Sequence, residues 1–291
     1  MHQSMSRGLD HIVHAVRDLD AAAALYRRLG FTVGAHNRHP WGTHNHLVQL
    51  PGFFIELLAV AEPEKLGADP FSALFGTFNR RFLQRHEGFS LLILESGDAG
   101  ADADAFRAAG IRASDAISFE REGRRPDGGT VKVGFSLAFA RDAKAPQAGF
   151  AACQQHYPEN FWNPAFQQHP NTAAAVAGIV LVAENPSDHH IFLSAFVGER
   201  ELLATSSGIT VKTPRGEIPV MDRAAFRSHF GTAAPDVSGG ARLAALRLAV
   251  RQPEVTRATL RAAGVAFADV MGRIVVAPER AMGATIAFEP A

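Results

Sequence analysis

Four segments of this chain spell the same short helix. RDLDAAAALYRRLGF (residues 17–31) lies without a gap over GDAGADADAFRAAGI (97–111), 80 residues further on, and ENPSDHHIFLSAFVG (184–198) and RQPEVTRATLRAAGV (251–265) repeat the pattern. Asp18, Asp98 and Asn185 offer a side-chain oxygen to the orphan N–H groups of a first turn, with Gln252 in the same slot, and Pro186 and Pro253 follow where a proline pre-sets the first helical φ. Gly30, Gly110 and Gly264 stand 12 positions past the cap and Gly198 stands 13, where a left-handed residue closes about three turns. A repeat of this kind outranks any single motif, because it fixes where the helices fall and what must lie between them.

Between the helices lie runs rich in β-formers, cut by glycine and proline. The first interval gives FTVGA, HNHLVQL and GFFIELLAV, and the second AISFERE, TVKVGFSLAFA and GFAACQQH. LLATS, GITVKT and GEIPVM fill the third, and VAFADV, RIVVAP and ATIAFE the fourth. With an apolar strand before each helix, every unit reads βαβββ, the first two over about residues 8–60 and 88–157. An inserted helix over about 70–85 carries Phe71, Leu74, Phe75, Phe78 and Phe82 on one stripe, with Arg80, Arg81 and Arg85 away from it. Its apolar side is core, a dimer contact or a lid.

Composition narrows the function classes. A chain that is 47% hydrophobic and 20% charged with zero net charge has a real core and no basic block to draw a nucleic acid. The single cysteine, Cys153, rules out an internal disulfide framework and fits a reducing cytoplasm. MHQSMSRG has no apolar leader, and AAAVAGIVLVA from Ala173 is too short to span a bilayer, so neither export nor membrane insertion is expected. Without a nucleophile elbow, a P-loop or a G-x-G-x-x-G, the chain lacks the parts of a serine hydrolase and of a nucleotide cofactor site. A small molecule is the expected partner.

Chemistry first shows in LDHIVHAV. In an extended strand His11 and Val13 take one face and Ile12 and His14 the other, so the two imidazoles serve different surroundings. Glu56 in FFIELL is a charge in an apolar run, costly unless it is paired, bound to metal or turned to a wet cavity. His44 and His46 share a strand face, with Asn45 on the other. His189 and His190, adjacent on a helix, cannot hold one ion.

The stretches LDHIVHAVRDLDAAAALYRRLGFTV, RHPWGTHNHLVQL, FFIELL and CQQHYPENFWNPAFQQHPN resemble the vicinal oxygen chelate superfamily of glyoxalase I, bleomycin-resistance proteins and extradiol dioxygenases, and within it the glyoxalase-like branch. The likeness is specific in residues 8–60 and 149–171 and topological elsewhere. It implies an α+β fold of four tandem βαβββ modules paired into two curved mixed-sheet cups, residues 1–172 forming the first pair and 173–291 a degenerate second. It places His11 and Glu56 in metal-ligand slots, whereas Leu91, Gly178 and Ala245 fall opposite His11 in the other units. A third ligand is expected from CQQH, which offers Cys153, Gln154, Gln155 and His156, and of these His156 is the better donor.

Two imidazoles and a carboxylate suit Zn, Ni, Mn or Fe(II) with open positions for substrate oxygens. The implied activity is a metal-dependent lyase or isomerase on a small oxygenated or carbonyl compound, with Glu56 moving a proton. His44, Asn45, Trp41, Gln154 and Trp162 are the expected substrate contacts. A metal-free binding protein of the bleomycin-resistance kind is the alternative, since Leu91 speaks for a decayed ligand set, and an extradiol-type dioxygenase ranks lower. A monomer, with the second pair standing in for a partner subunit, or a homodimer would satisfy the same architecture.

Overall fold

A computed structural model describes residues 6–124 and 129–291. The first unit runs β1 (Leu9–Ala15), α1 (Leu19–Arg28), β2 (Asn37–Arg38), β3 (Thr43–Leu50) and β4 (Phe53–Val60). After a one-turn π-helix, Ser72–Gly76, and α2 (Thr77–Leu83), the second follows as β5 (Gly88–Glu95), α3 (Ala99–Ala108), β6 (Arg112–Ala113), β7 (Ile117–Arg124), β8 (Thr130–Arg141) and β9 (Gly149–Gln155). A short α4 (Pro158–Phe161) leads to β10 (Ala173–Val182), α5 (His190–Val197), β11 (Leu202–Thr205), β12 (Gly208–Lys212) and β13 (Glu217–Met221). Then α6 (Arg223–Phe230) precedes β14 (Arg242–Val250), α7 (Pro253–Ala262), β15 (Ala268–Val270), β16 (Arg273–Val276) and β17 (Thr285–Pro290).

The helix punctuation forms as its chemistry requires. Asp18 accepts from the Ala21 N–H and Asp98 from the Ala101 N–H, and the glycines that close the first and last repeats, Gly30 and Gly264, take φ of 83° and 65°. The side chains of Gln252 and Asn185 do not cap their helices; Asn185 is engaged elsewhere. Its side chain bonds Asp188 and Ser187 instead, and residues 186–189 wind as a 3-10 turn before α5. FTVGA likewise forms no strand. The imidazole of His46 donates to the Gly34 carbonyl at 2.8 Å and occupies that acceptor, and ladder pairing begins only at Asn37.

Strand order explains how the units pair. The first sheet runs β2-β3-β4-β1-β5-β9-β8-β6, with β7 also on β8, and the second runs β11-β12-β13-β10-β14-β17-β16-β15. In each, a parallel pair flanks a central antiparallel one: β1 lies parallel to β4 and antiparallel to β5, and β10 lies parallel to β13 and antiparallel to β14. His11 sits opposite Ile93 and Val13 opposite Leu91, so each unit is the two-fold image of the other across this seam. The architecture is that of two curved α+β cups.

One core joins the helix-bearing faces of both sheets. Ile12, Tyr26, Leu92 and Phe106 from the first pair meet Leu181, Phe196, Leu248 and Phe288 from the second, with Phe31 stacked on Phe288 and Phe106 packed on Phe196. Each sheet's other face gathers its own cluster. Val13, Leu58, Ile93 and Cys153 meet Trp41, Phe71 and Phe75 in the first, and Val180, Ala245 and Ala287 meet Phe226 and Phe230 of α6 in the second. Across the second sheet Arg247 bridges Glu217 and Glu289, and Glu289 also binds Arg273. The second cup is therefore filled by aromatic rings and an ion-pair network.

Because β1 is covered on both sides, all seven of its residues are buried, the two histidines included. His14 belongs to the shared core. Its Nε2–H donates to the Met282 carbonyl at 3.1 Å, across the join between the pairs, and its Nδ1 accepts from the Tyr26 hydroxyl at 2.9 Å. Burial lowers its pKa to about 4, from an ordinary value of about 6.5. The unfolded chain therefore takes up this proton first as pH falls, and the stability His14 contributes, complete above 6.5, drains away towards 4. We expect the stability of a His14→Gln variant, followed by chemical denaturation across that range, to fall less steeply than the parent's by on the order of 3 kcal/mol in total. His14→Ala should cost a further 1–3 kcal/mol or so at neutral pH by stranding the Tyr26 hydroxyl.

Candidate functional site

On the cup side of the first sheet, alternation turns His11 of β1, Asn45 and Leu47 of β3, and Phe54 and Glu56 of β4 inward. With Arg121 of β7, Cys153 of β9 and the rings of Trp41, Phe71, Phe75 and Phe119 they enclose a cavity of about 50 Å³. At roughly 10–15 Å³ per water position, that is room for the reacting end of a small molecule and little more. The inserted segment is the roof: Phe71 packs on Trp41 and Phe119 at centroid distances of 4.8 and 4.7 Å.

The polar groups of the cavity hold each other in register. The pairing of β1 with β5 slips between Leu9 and His11, a bulge that puts one extra residue, Asp10, on β1. Asp10 is 3% exposed, accepts from His11 Nδ1 at 2.5 Å and from Gln155 Nε2 at 2.8 Å, and so fixes the imidazole with Nε2 as the nitrogen left for a ligand. The ring is further clamped face to face on Phe54 at 4.2 Å.

Glu56 accepts from Asn45 Nδ2 at 2.6 Å, and the same amide reaches His39 Nε2 at 3.4 Å. His39 Nδ1 and the Trp41 indole N–H both meet the Thr43 hydroxyl, at 2.9 and 2.8 Å. Burial pushes the Glu56 carboxyl above the usual range, against the opposing pull of His11, the Asn45 hydrogen bond and Arg121. Burial, with the charges of Arg121 and His44, lowers His39 to about 3, so it stays neutral. Burial and the carboxylates of Asp10 and Glu56 raise the Cys153 thiol well above its ordinary value, which leaves it a small neutral wall residue.

Of the residues expected from the sequence, the structure brings His11, Glu56, Asn45 and Trp41 to this cavity. It takes the others elsewhere. His156 bonds the Ser136 hydroxyl at 2.7 Å and is not among the lining residues, because β9 ends at Gln155 and the chain turns away. Gln154 points to the opposite face and accepts from the Ala99 N–H at the start of α3. Trp162 packs on the edge of Phe54, and its neighbour Phe161 is the ring that lines the cavity. His44, one residue from Asn45, faces outwards and bonds His36 and Glu62.

Asp10, His39 and Arg121 were not foreseen. A charge beside His11 in an otherwise apolar strand was the available signal for Asp10, and Arg121, two positions from Phe119 in ISFERE, shares its face by alternation.

A metal centre here would need donors from the second unit. Register shows what stands in their place. Val13 pairs with Glu56 and its image Ile93 with Ala151, so Ala151 occupies the slot equivalent to Glu56, as Leu91 occupies that of His11. His11 and Glu56 therefore face two hydrocarbon positions where a ligand set would be completed, and the half-buried guanidinium of Arg121 adds a positive charge. Among the described residues no third His, Cys, Asp or Glu joins His11 and Glu56 at the spacing of one ion. The residues present do not make up a metal centre in this cup.

Beyond the roof lies a second hollow, an open cleft of about 600 Å³ between α2 and the β6–β8–β9 edge, with Phe78, Phe82 and Phe150 in its floor and Arg81, Arg85, Arg112 and Arg141 around it. Its volume is that of a whole small-molecule site. No helix among the described residues is long and apolar enough to cross a membrane.

Comparison with known proteins agrees with this architecture. The family described as glyoxalase-like domain matches residues 9–197. No curated protein sequence matches the chain. Among solved structures, a hypothetical protein from Staphylococcus aureus superposes with a TM-score of 0.69 at 15% identity, over 98% of this chain and 100% of that one. A mutant of 4-hydroxymandelate synthase from Streptomyces coelicolor gives 0.58 at 12% identity, over 98% and 92%. A fusion of a xylose isomerase-like TIM barrel with 4-hydroxyphenylpyruvate dioxygenase gives 0.52 at 14%, over 91% of this chain and 40% of that one. At such identities the likeness is one of fold.

The raised Glu56 carboxyl has a measurable sign. A folded-state pKa above the unfolded 4.5 contributes stability that is whole below 4.5 and is lost as pH climbs through the folded value. Glu56→Gln keeps an acceptor for Asn45 and removes the titration. The melting temperature of the variant should therefore gain on the parent's as pH is raised from below 4.5 to neutral, in parallel melts of the two proteins.

Proposed function

The chain belongs to the glyoxalase-like domain family, and from that premise we propose that its first cup moves a proton on a small oxygenated, carbonyl-type molecule, an isomerase or lyase reaction run by side chains. The observation that carries this is the His11–Asp10 pair beside Glu56 in a cavity roofed by aromatic rings. A site built only to hold an apolar ligand gains nothing from burying a carboxylate and a carboxylate-oriented imidazole, each of which costs desolvation, beside a half-buried guanidinium.

The roles follow from the bonds. Asp10 holds Nδ1–H, so His11 presents Nε2 as the base that takes a proton from carbon. Arg121 supplies positive charge for the oxygen that becomes negative as the proton leaves. Glu56, its pKa raised by burial and its oxygen aligned by Asn45, is tuned to hold a proton and return it nearer neutrality than a free carboxyl would. The aromatic roof keeps water from quenching the intermediate, so Phe71 and Phe75 must part to admit substrate.

One observation favours the neighbouring reading of a sequestering protein: Leu91 and Ala151 replace the second half of the ligand set. The two readings separate in deuterium oxide. With small 2-oxo and 2-hydroxycarbonyl compounds offered to the protein, NMR should show exchange of the proton next to the carbonyl, slowed at least about a hundredfold in His11→Gln and in Glu56→Gln. Binding of these compounds without exchange assigns the cup to sequestration, and exchange unchanged in both variants refutes the assignment of the base.

A further inference from the structure

We infer that Asp20, His36 and His46 form a binding site for a zinc-class divalent cation on the outer face of the first sheet, apart from the cup. Each comes from a different segment: Asp20 from the first turn of α1, His36 from the stretch before β2, and His46 from β3. One ligand atom from each lies within 4.8 Å of the other two. Donors bound at about 2.0–2.2 Å stand roughly 3–4 Å from one another, so the group is near its closed geometry. Asp20 and His36 are exposed and free to swing the remaining distance, while His46 is buried and fixed.

The surroundings treat His46 as a ligand is treated. Its Nδ1–H donates to the Gly34 carbonyl at 2.8 Å, which locks the tautomer with the lone pair on Nε2 and orients the ring, the usual device for holding a metal-binding imidazole. His36 is braced as well: His44, itself bonded to Glu62 at 3.3 Å, meets its Nε2 at 3.1 Å. The rings of His36 and His46 stand 5.3 Å apart. Two imidazoles and one carboxylate select zinc, nickel or cobalt over calcium and magnesium, which take oxygen donors.

The ion's effect is mechanical. It ties α1 to β3, the strand that carries Asn45 into the cup from its other face.

Zinc titration of the full chain, purified without a histidine tag, tests this by calorimetry and by thermal melts. We expect one equivalent bound and a melting temperature raised by zinc, with affinity at least tenfold weaker in His36→Ala and stoichiometric binding lost in an Asp20→Asn/His36→Ala double variant. Both positions are exposed, so these variants fold, and His11→Gln and Glu56→Gln should bind zinc as the parent does. Absence of one-to-one binding overturns the site, as does binding unchanged in the double variant. Loss of binding in the cup variants alone overturns it too and moves the ion to the cup.

Discussion

Everything else in this protein hangs on the antiparallel seam between β1 and β5. Alone, each βαβββ unit is a small curved sheet with an open central edge and too little to cover both faces. Joined there, two units make a trough whose outer face is sealed by α1 and α3 and whose inner face can only be filled or used. The seam also decides which residues are equivalent. By placing His11 against Ile93 and Val13 against Leu91 it sets one half of the trough polar and the other apolar. The ladder slips twice along this seam, and the carboxylate that orients His11 exists because the first slip, between Leu9 and His11, puts Asp10 on β1 as an extra residue.

The two troughs resolve the same geometry in opposite ways. In the second, α6 drives Phe226 and Phe230 into the concavity, and Arg247 finds carboxylates on both sides, so charge and volume are balanced within the protein. In the first, the π-turn brings Phe71 and Phe75 over the mouth without reaching the floor. His11 Nε2 keeps a space in front of it, and the Glu56 carboxyl is left with a desolvation cost that its partners do not offset. That imbalance sets the first cup apart from the second.

Much of this is legible in the sequence. Asp18 and Asp98 with Gly30 and Gly110 mark α1 and α3 by local chemistry, and alternation along LDHIVHAV separates the roles of His11 and His14. What the sequence concealed depends on strands meeting at a distance. Aligning FAAC with FFIE matches Cys153 to Glu56, whereas pairing with β5 sets Ala151 there, two residues away, because the loop before β9 rather than any local signal fixes that register. His156 looked the better ligand by chemistry, but chain direction after Gln155 overrules it. Asn185 has the right side chain for a cap and spends it on Asp188 and Ser187. Arg121 reaches the cavity only through β7, whose place in the sheet is set by β8.

The filled second cup has a consequence for how such a molecule bears change. Reactive sites are strained and poorly satisfied, and a chain with a narrow margin of stability has little tolerance for altering them. Here a well-packed twin, fused through a common core, supplies margin that the open cup does not generate. A protein so built is a scaffold with ballast: its first cup is free to drift towards new ligands while its second keeps the whole afloat.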